Sequence, residues 1–317
     1  MALQIAVIDD WQAVASSVVD WSVLDSIGAV SFLHDYPADN DTLANRLGEF
    51  EVICVMRERT RFDEDLLRRL PKLKLLVTGG MRNAALDLKA AAALGIQVCG
   101  TDSYKHAAPE LTWALIMAAT RNLVAEANAL RAGIWQQGLG GDLHGKTLAI
   151  LGLGSIGKRV AQFGQVFGMR VIAWSENLTA DRASEAGVTY VSKQQLFEQA
   201  DILSVHLVLS ECTRGIVDSQ ALKWMQPTAL LVNTARGPIV DEAALIKALQ
   251  KNRLAGAALD VFEQEPLPAN HPFRTLENVL ATPHVGYVSR QNYQMFFSQM
   301  IEDIQAWAAG APVRVLG

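Results

Sequence analysis

Residues 148–174 read LAILGLGSIGKRVAQFGQVFGMRVIAW, and this stretch decides the fold. An apolar run, Leu148–Leu151, leads into a turn with three glycines, and a segment with apolar residues at helical spacing follows. Gly168 ends that segment, and a second apolar run, Val171–Trp174, comes directly afterwards. This order predicts strand, glycine turn, helix and strand, which together form a βαβ unit of about 30 residues.

The three glycines of the turn suit three different tasks. Gly152 permits the tight turn, Gly154 lets the backbone approach a pyrophosphate, and Gly157 lets the helix pack closely on the strand. The N-terminus of the helix then faces the anion. A GxGxxG pattern alone is weak evidence, because 23 glycines allow chance matches, and a tight turn without a ligand is the plain alternative. Because the glycines lie at a strand-to-helix junction, we interpret the pattern as a dinucleotide site.

Composition bounds the class of protein. The chain has 317 residues, half of them apolar, so it can form one large domain or two of medium size. Its net charge is −5 and it has no basic run, so neither nucleic acid nor a membrane is an expected partner. The sequence has no membrane-spanning run and no signal-peptide pattern. Cys54, Cys99 and Cys212 are isolated, which predicts reduced thiols rather than disulfides or metal ligands. We therefore expect a soluble, cytoplasmic protein.

Before the glycine turn, short apolar runs alternate with helical patterns. Such alternation predicts a parallel sheet with helices on both faces, and hence a complete α/β domain. A long helical pattern over 106–132, without glycine until Gly133, predicts the helix that links this domain to the next. The predicted strands lie at 5–8, 30–33, 52–56 and 73–77, and the predicted helices at 14–27, 42–47, 63–70 and 86–94.

The alternation resumes after Trp174 and predicts a second parallel sheet. A final long helix is predicted at 289–309, which either extends the second domain or crosses back to the first. The other predicted strands lie at 202–206, 229–233, 255–260 and 279–281, and the helices at 196–199, 222–225 and 242–250.

Ionisable residues follow three predicted strands of the second half. The segments are Asn233–Gly237 (NTARG), Asp260–Pro266 (DVFEQEP) and Thr282–Gly286 (TPHVG). Ligands of open α/β sheets bind beyond the carboxyl ends of the strands. A histidine with nearby carboxylates is a common acid–base arrangement, and an arginine can clamp a carboxylate with two hydrogen bonds. A structural ion pair is the alternative, but the shared position beside a dinucleotide site favours catalysis.

Four motifs carry a family resemblance. In their order and spacing, GLGSIG, VNTARGPIVDE, ALDVFEQEPLP and TPHVG resemble the D-isomer-specific 2-hydroxyacid dehydrogenases, and the resemblance covers nearly the whole chain. It implies an α/β protein of two Rossmann-like domains with parallel sheets and an active site in the interdomain cleft. The substrate domain would comprise residues 1–102 plus 285–317, and the NAD-binding domain residues 103–284. The resemblance also implies NAD as the cofactor and a homodimer formed through the long linking helix and adjacent loops.

The same resemblance implies roles for individual residues. Arg236 would bind the substrate carboxylate and polarise the keto group, and His284 would be the acid–base residue. Glu265 would hold the histidine ring and favour its charged form, and Asp260 would contact the nicotinamide end of the cofactor. The other implied cofactor-binding residues are Gly152, Gly154, Ser155, Ile156, Gly157, Ser175, Glu176, His206, Thr234, Ala235 and Gly286.

The sequence departs from the family after the second strand of the cofactor domain. The family often has an aspartate there, which grips the adenosine ribose, whereas Ser175 and Glu176 stand at this place. A carboxylate at Glu176 can accept hydrogen bonds from the ribose hydroxyls and repel a 2′-phosphate, which predicts a preference for NADH over NADPH.

A second departure lies in the substrate loop of the first domain. The family pattern resembles GVGxDNID, whereas residues 79–87 read GGMRNAALD. The backbone of Gly79, Gly80 and Met81 would still help to hold the substrate carboxylate. Arg82 is an added charge near the expected substrate mouth, and Arg57 and Arg59 raise the same question from the neighbouring loop. A surface arginine without a ligand is the alternative for each.

These observations predict an NAD-dependent oxidoreductase that acts on a small D-2-hydroxy acid or 2-keto acid. Phosphoglycerate, formate or phosphonate oxidation are the alternatives within the same family. A dinucleotide-sensing binding protein, like the corepressors that share the fold, is the alternative from another class. The arginine, the glutamate and the histidine of the three strand-end motifs favour the enzyme.

Overall fold

The computed structural model describes residues 2–35 and 39–317, and the chain divides into two compact units. The first unit comprises Met1–Tyr104 and Val288–Gly317, and the second comprises Lys105–Tyr287. Each unit has its own sheet, and the paired strands of both sheets run parallel. The predicted α/β class with two parallel sheets is confirmed. Within the described ranges, no helix is both long and apolar enough to cross a membrane.

The first unit alternates strands with short helices. In chain order its elements are β1 (Leu3–Val7), α1 (Ala15–Val18), β2 (Gly28–Phe32), α2 (Asn40–Leu47), β3 (Val52–Val55), α3 (Glu64–Arg68), β4 (Leu75–Thr78), α4 (Leu88–Ala93) and β5 (Gln97–Gly100). The strand order is β2-β1-β3-β4-β5, and β3 and β4 are buried along their whole length. Asp39, Asp63 and Asp87 begin α2, α3 and α4, because each carboxylate accepts a backbone N–H of the first turn.

The predicted helix at 14–27 is wrong. Helix α1 is only four residues long, Val19 is extended, and a single 3-10 turn follows at Ser22–Leu24. The Asp20 carboxylate accepts hydrogen bonds from both the backbone N–H and the hydroxyl of Ser22. Such local side-chain bonds compete with the helical backbone pattern, which is why the apolar spacing alone was misleading.

The second unit is a doubly wound sheet with a hydrophobic layer on each face. In chain order its elements are α5 (Ala107–Thr120), α6 (Leu123–Arg131), β6 (Thr147–Leu151), α7 (Ser155–Val166), β7 (Arg170–Trp174), α8 (Ala180–Ser184), β8 (Thr189–Tyr190), α9 (Lys193–Glu198), β9 (Ile202–Val205), α10 (Ser219–Trp224), β10 (Leu230–Asn233), α11 (Glu242–Gln250), β11 (Gly256–Leu259) and β12 (Val279–Ala281). The strand order is β12-β11-β10-β9-β6-β7-β8. Leu148 and Ile150 enter one layer and Ala149 and Leu151 the other, because side chains of a strand alternate between its faces.

The long helix predicted at 106–132 is two helices, α5 and α6, and both lie in the second unit. They are separated at Asn122, which has a left-handed conformation with φ of 54°. The Asn122 side chain donates to the Leu139 carbonyl, and the Gly141 N–H donates to the Thr120 carbonyl. The loop after α6 is therefore folded back over the break.

The last helix, α12 (Arg290–Ala308), belongs to the first unit, where it packs on β4 and α1. Of the two alternatives open from the sequence, the chain thus crosses back. The residues after α12 continue along β5, because the Gly100 N–H donates to the Arg314 carbonyl and the Leu316 N–H donates to the Val98 carbonyl.

Candidate active site

The glycine turn between β6 and α7 is enforced by close contacts. Gly152 has φ of +102°, and a Cβ on it would lie 2.9 Å from backbone atoms of His206. A Cβ on Gly157 would lie 2.1 Å from the Gly152 carbonyl oxygen. A side chain at Gly152 would push the turn away from the end of β9, and one at Gly157 would push α7 away from the turn.

Gly154 differs from the other two glycines because the space beside it is open. A Cβ there would meet no described atom within 4 Å, and within the described chain no side chain caps α7, which Gly154 precedes. The N–H groups of the first turn, beginning at Ser155 and Ile156, are thus free of a side-chain cap and suit a phosphate. This open cradle at a helix N-terminus fits the pyrophosphate of NAD.

Ser175 and Glu176, which are predicted to meet the adenosine half of NAD, follow the end of β7. Ser175 is partly buried, and Glu176 is exposed. Arg182, the cation that could reach this region, donates to the Asn177 carbonyl at 3.2 Å. The carboxylate of Glu176 is therefore the charged group that directly follows the strand.

Three loops with ionisable residues follow the neighbouring strands β10, β11 and β12. In the first, the Asn233 amide donates to the Arg236 carbonyl at 3.0 Å, and its oxygen accepts the Ala235 N–H at 3.0 Å. Arg236 donates from Nη1 to the Ala235 carbonyl at 2.7 Å. A Cβ on Gly237 would lie 2.0 Å from the Phe262 carbonyl carbon, so the loops after β10 and β11 are in contact.

The structure brings His284 and Glu265 together. His284 Nδ1 and Glu265 Oε2 are 2.6 Å apart, and Glu265 Oε1 accepts the Phe262 N–H at 2.9 Å. His284 has φ of 51°, and its ring contacts the edge of Tyr287 at a centroid distance of 5.6 Å. An ionised carboxylate accepts a hydrogen bond from Nδ1–H, so in a neutral ring the proton is on Nδ1 and Nε2 is an acceptor.

Asp260 holds the histidine loop rather than the histidine ring. One carboxylate oxygen accepts the Thr282 hydroxyl at 2.6 Å and the Val285 N–H at 2.8 Å, and the other accepts the Gly286 N–H at 2.8 Å. Burial raises the pKa of Asp260, while these hydrogen bonds and the charge of His284 oppose that rise. The carboxylate therefore fixes the backbone on the C-terminal side of His284.

Two further predicted cofactor residues lie at strand ends of the same sheet. His206 follows β9, and its Nε2 is 2.8 Å from the Ser204 hydroxyl. Burial lowers the pKa of His206 to about 3, so this ring is neutral at physiological pH. Thr234 follows β10, and its hydroxyl is 2.7 Å from that of Thr112.

The predicted substrate loop of the first unit is internally bonded. The Gly79 N–H donates to the Val55 carbonyl at 3.1 Å, and the Gly80 N–H donates to the Thr101 hydroxyl at 2.8 Å. These two N–H groups are therefore already used within the unit, so a carboxylate contact through this backbone rests on Met81. Arg57 lies over the loop, because its Nη1 approaches the Gly79 carbonyl at 3.4 Å.

The neighbouring arginines have different surroundings. Arg59 donates to the Asp9 carbonyl and to the Tyr293 hydroxyl, and its guanidinium lies 4.3 Å from the Trp11 ring centroid. It therefore links three segments of the first unit. Arg82, by contrast, has an exposed side chain.

Several residues that contact the predicted site residues were not predicted from the sequence. Asn233, Thr282 and Tyr287 each contact a predicted site residue, as described above. Their signal was positional, because all three belong to the strand-end segments or adjoin them. Side chains of these types are too common in loops to be singled out without coordinates.

Comparison with known proteins identifies relatives of the whole chain. The family model described as D-isomer specific 2-hydroxyacid dehydrogenase, NAD binding domain, matches residues 113–286. A glyoxylate reductase from Aeropyrum pernix is 39% identical over 284 residues, which cover 86% of this chain and 84% of that protein. A D-3-phosphoglycerate dehydrogenase from Methanocaldococcus jannaschii is 36% identical over 74% of this chain and 45% of that longer protein.

Solved structures give the same result. A phosphoglycerate oxidoreductase from Vibrio cholerae O395 superposes with a TM-score of 0.94 at 40% identity, covering 98% of this chain and 100% of that one. The similarity thus includes both units of the chain.

Proposed function

The chain belongs to the family of D-isomer-specific 2-hydroxyacid dehydrogenases, which use NAD, and we propose that it reduces a small 2-keto acid to the D-2-hydroxy acid. The observation that carries this proposal is the 2.6 Å hydrogen bond between His284 and Glu265. His284 follows β12 and Glu265 follows β11, and β11 is the neighbour of β10, which Arg236 follows. The name of the glyoxylate reductase relative supports a small substrate.

His284 is the proposed acid and base. With Nδ1 held by Glu265, the protonated ring donates from Nε2 to the carbonyl oxygen during reduction, and the neutral ring accepts a proton there during oxidation. NAD(H) supplies or takes the hydride. An ionised Glu265 stabilises the imidazolium, so it favours the form that reduction requires.

Arg236 is the proposed carboxylate ligand and electrophile. Its planar guanidinium can grip a carboxylate at two points, and its positive charge stabilises the negative charge that develops on the substrate oxygen. We propose that substrate binding in the first unit involves Met81, Arg57 and Arg82.

A panel of 2-keto acids tests the proposal, with NADH and NADPH followed by absorbance. We expect turnover with glyoxylate or pyruvate and a preference for NADH, as the carboxylate of Glu176 predicts. Saturable NADH binding without turnover of any acid would instead support a dinucleotide-sensing binding protein. Equal efficiency with NADPH would refute the role of Glu176.

Glu265→Gln tests the acid–base pair, because it removes the charge and keeps most of the shape. The protonated ring loses its stabilisation, so at neutral pH the variant should lose more rate in reduction than in oxidation. A deuterated cofactor checks that hydride transfer limits the rate, and equal losses in reduction and oxidation would exclude Glu265 as the partner.

Phosphoglycerate oxidation is the second candidate, because relatives carry that name and Arg82 is an exposed cation on the predicted substrate loop. An arginine there would favour a substrate with a second anionic group. Arg82→Ala should then reduce efficiency with 3-phosphoglycerate more than with glyoxylate or pyruvate. Equal effects on all substrates would show that Arg82 is a surface arginine without a role in substrate binding.

We also propose a homodimer, formed by an arm that comprises residues 123–141. Six large apolar side chains are exposed here, with Trp135 76% and Leu139 96% exposed. The arm is preformed, because the Glu126 carboxylate accepts the N–H groups of Gln137 and Gly138. A groove of about 510 Å³ lies beside it. Val124 and Leu139 of the arm line this groove. In a twofold dimer, the arm of each copy would therefore enter the groove of the other copy.

Light scattering tests the dimer. Replacing Trp135 and Leu139 with serine should give a monomer, whereas Val166→Ser, at an 86% exposed position in α7, should stay dimeric. A monomeric wild-type protein would refute the proposal.

We also propose a cytoplasmic location, which the three free cysteines support.

A further inference from the structure

A second histidine–glutamate pair joins the loop that carries Glu265 to helix α11. Glu242 Oε1 and His271 Nε2 are 3.0 Å apart, and both side chains are largely buried. The other oxygen of Glu242 accepts the Glu263 N–H at 3.2 Å. A single carboxylate therefore holds the chain on both sides of Glu265, two residues before it and six residues after it.

The hydrogen bonds of His271 define which ring nitrogen carries the proton when the ring is neutral. Nδ1 accepts the Phe273 N–H at 3.3 Å, so the proton of a neutral ring is on Nε2 and is donated to Glu242. Both ring nitrogens are thereby used within the protein. His271 is consequently a structural anchor rather than a proton carrier.

Glu242 is itself rigidly placed as the first residue of α11. Asp241 caps this helix by accepting the Ala244 N–H at 2.9 Å. The Asp241 N–H donates to the Val217 carbonyl at 3.0 Å, which ties the helix start to a neighbouring segment. A side chain on such a base can fix a loop with little loss of conformational entropy.

The loop between the two anchors is closed by its own contacts. The buried rings of Phe262 and Phe273 lie 6.3 Å apart at its ends. Arg274 donates to the carbonyls of Leu267 and Pro268. Movement at either anchor is therefore transmitted to Glu265, whose Oε1 accepts the Phe262 N–H.

We propose that Glu242 and His271 are positioning residues for the acid–base pair, and this inference rests on the proposed function. Glu242 holds Glu263 and His271, the loop between them holds Glu265, and Glu265 orients His284. The pair thus acts on the proton-transfer step without contacting the substrate.

Glu242→Gln is the sharpest test. Its amide has one acceptor oxygen, so its NH₂ group would face either the Glu263 N–H or the His271 Nε2–H, and one of the two bonds is lost. We expect kcat for keto-acid reduction to fall about 10-fold, because small displacements of a catalytic group are costly. The KM and the Kd of NADH should stay within about twofold of wild type, and the rate should fall more in reduction than in oxidation, as in Glu265→Gln.

A double-mutant cycle with Glu265→Gln shows whether the effect passes through Glu265. Once Glu265 is replaced, Glu242→Gln should lower kcat by less than twofold, because the anchor no longer has a carboxylate to place. Full multiplication of the two effects would overturn the inference. His271→Phe, which keeps a ring against Phe273 and removes both hydrogen bonds of the histidine, should lower kcat in the same direction and serves if Glu242→Gln folds poorly.

Glu263→Gln is the matched control. It removes one negative charge from the loop itself, but its side chain is exposed, and the backbone N–H that Glu242 binds is kept. Its kcat should equal that of wild type. If wild type turns over keto acids and both Glu242→Gln and His271→Phe equal it, the inference fails, whereas absence of wild-type turnover would refute the proposed function itself.

Discussion

Replacing Gly237 with alanine adds one methyl group where two loops of the second unit touch. The new Cβ would lie 2.0 Å from the Phe262 carbonyl carbon, 2.1 Å from its oxygen and 2.5 Å from the Glu263 nitrogen. All three are backbone atoms, so no side-chain rotation relieves the overlap. Arg236 lies in one of these loops, and Glu265 lies in the other, where its Oε1 accepts the Phe262 N–H. Both predicted catalytic loops are therefore affected.

The required displacement sets the size of the effect. An ordinary contact begins at 3.4 Å, so the loops must separate by about 1.4 Å. A misplacement of about 1 Å can cost roughly 100-fold in rate, and we expect kcat/KM for the best keto acid to fall at least about 100-fold, or about 2.7 kcal/mol. Overpacking of this kind costs about 1–3 kcal/mol of stability, which lowers the melting temperature by several degrees.

Three measurements on one preparation test this prediction: kcat/KM with NADH, the Kd of NADH by fluorescence, and the melting temperature. The Kd of NADH should rise far less than the rate falls, because the glycine turn follows β6, although Thr234 and Ala235 share the loop of Gly237. Gly48→Ala in the first unit is the control, since its Cβ would approach only Ala44, at 3.2 Å. A folded Gly237→Ala protein with kcat/KM within threefold of wild type would show that the spacing of these loops does not control catalysis.

Three other substitutions test separate parts of the structure. Gly154→Ala should leave the melting temperature nearly unchanged, because its Cβ meets no described atom within 4 Å, but should weaken NADH at least about 10-fold by filling the phosphate cradle; unchanged affinity would contradict it. Arg236→Lys should lower keto-acid efficiency about 10- to 100-fold without altering NADH affinity, because the planar fork is lost; an unchanged efficiency would make Arg236 structural. Burial raises the pKa of Asp303 to about 7, despite its bond to Arg314, so the folded state binds the proton more tightly than the unfolded state. Unfolding free energy should therefore fall as pH rises from about 4 to about 7, and chemical denaturation of Asp303→Asn should show a flatter profile than wild type.

The parts of the fold that local chemistry determines could be read from the sequence. The glycine turn needs residues without a Cβ at two close contacts, so the residue types themselves encode it. Helix α11 and strand β12 have the bounds that their patterns predict, Glu242–Gln250 and Val279–Ala281. In both cases the short-range pattern agrees with the contacts of the segment, because α11 buries Leu245 and Leu249 and β12 pairs with β11.

The breaks between elements depended on distant contacts. The apolar pattern runs through Asn122, and the left-handed turn there is accompanied by bonds between residues 120–122 and a loop about 20 residues later. Strand β5 was missed because its four residues, QVCG, are too few to show a period. Pairing with β4 and with the residues after α12 makes it a strand.

The candidate site was predictable in its residue types but not in its pairings. Asp260 and Glu265 both follow β11 within a few residues, and either carboxylate could have met His284. Only the coordinates separate them, with Glu265 on the ring and Asp260 on the backbone of the histidine loop. The contact between Glu242 and Glu263 could not be predicted either, because the two residues are 21 positions apart in the sequence.

The return of α12 to the first unit has a consequence for biosynthesis. Phe296 lies against Gly79, and Phe297 packs on Trp21, so the first unit lacks part of its interior until α12 is made. The whole of Lys105–Tyr287 leaves the ribosome before that helix. At 5–20 residues per second, the early strands wait roughly 10–40 s for it, while the second unit can already fold. The nascent first unit is therefore the part of this chain that most needs protection by chaperones during translation.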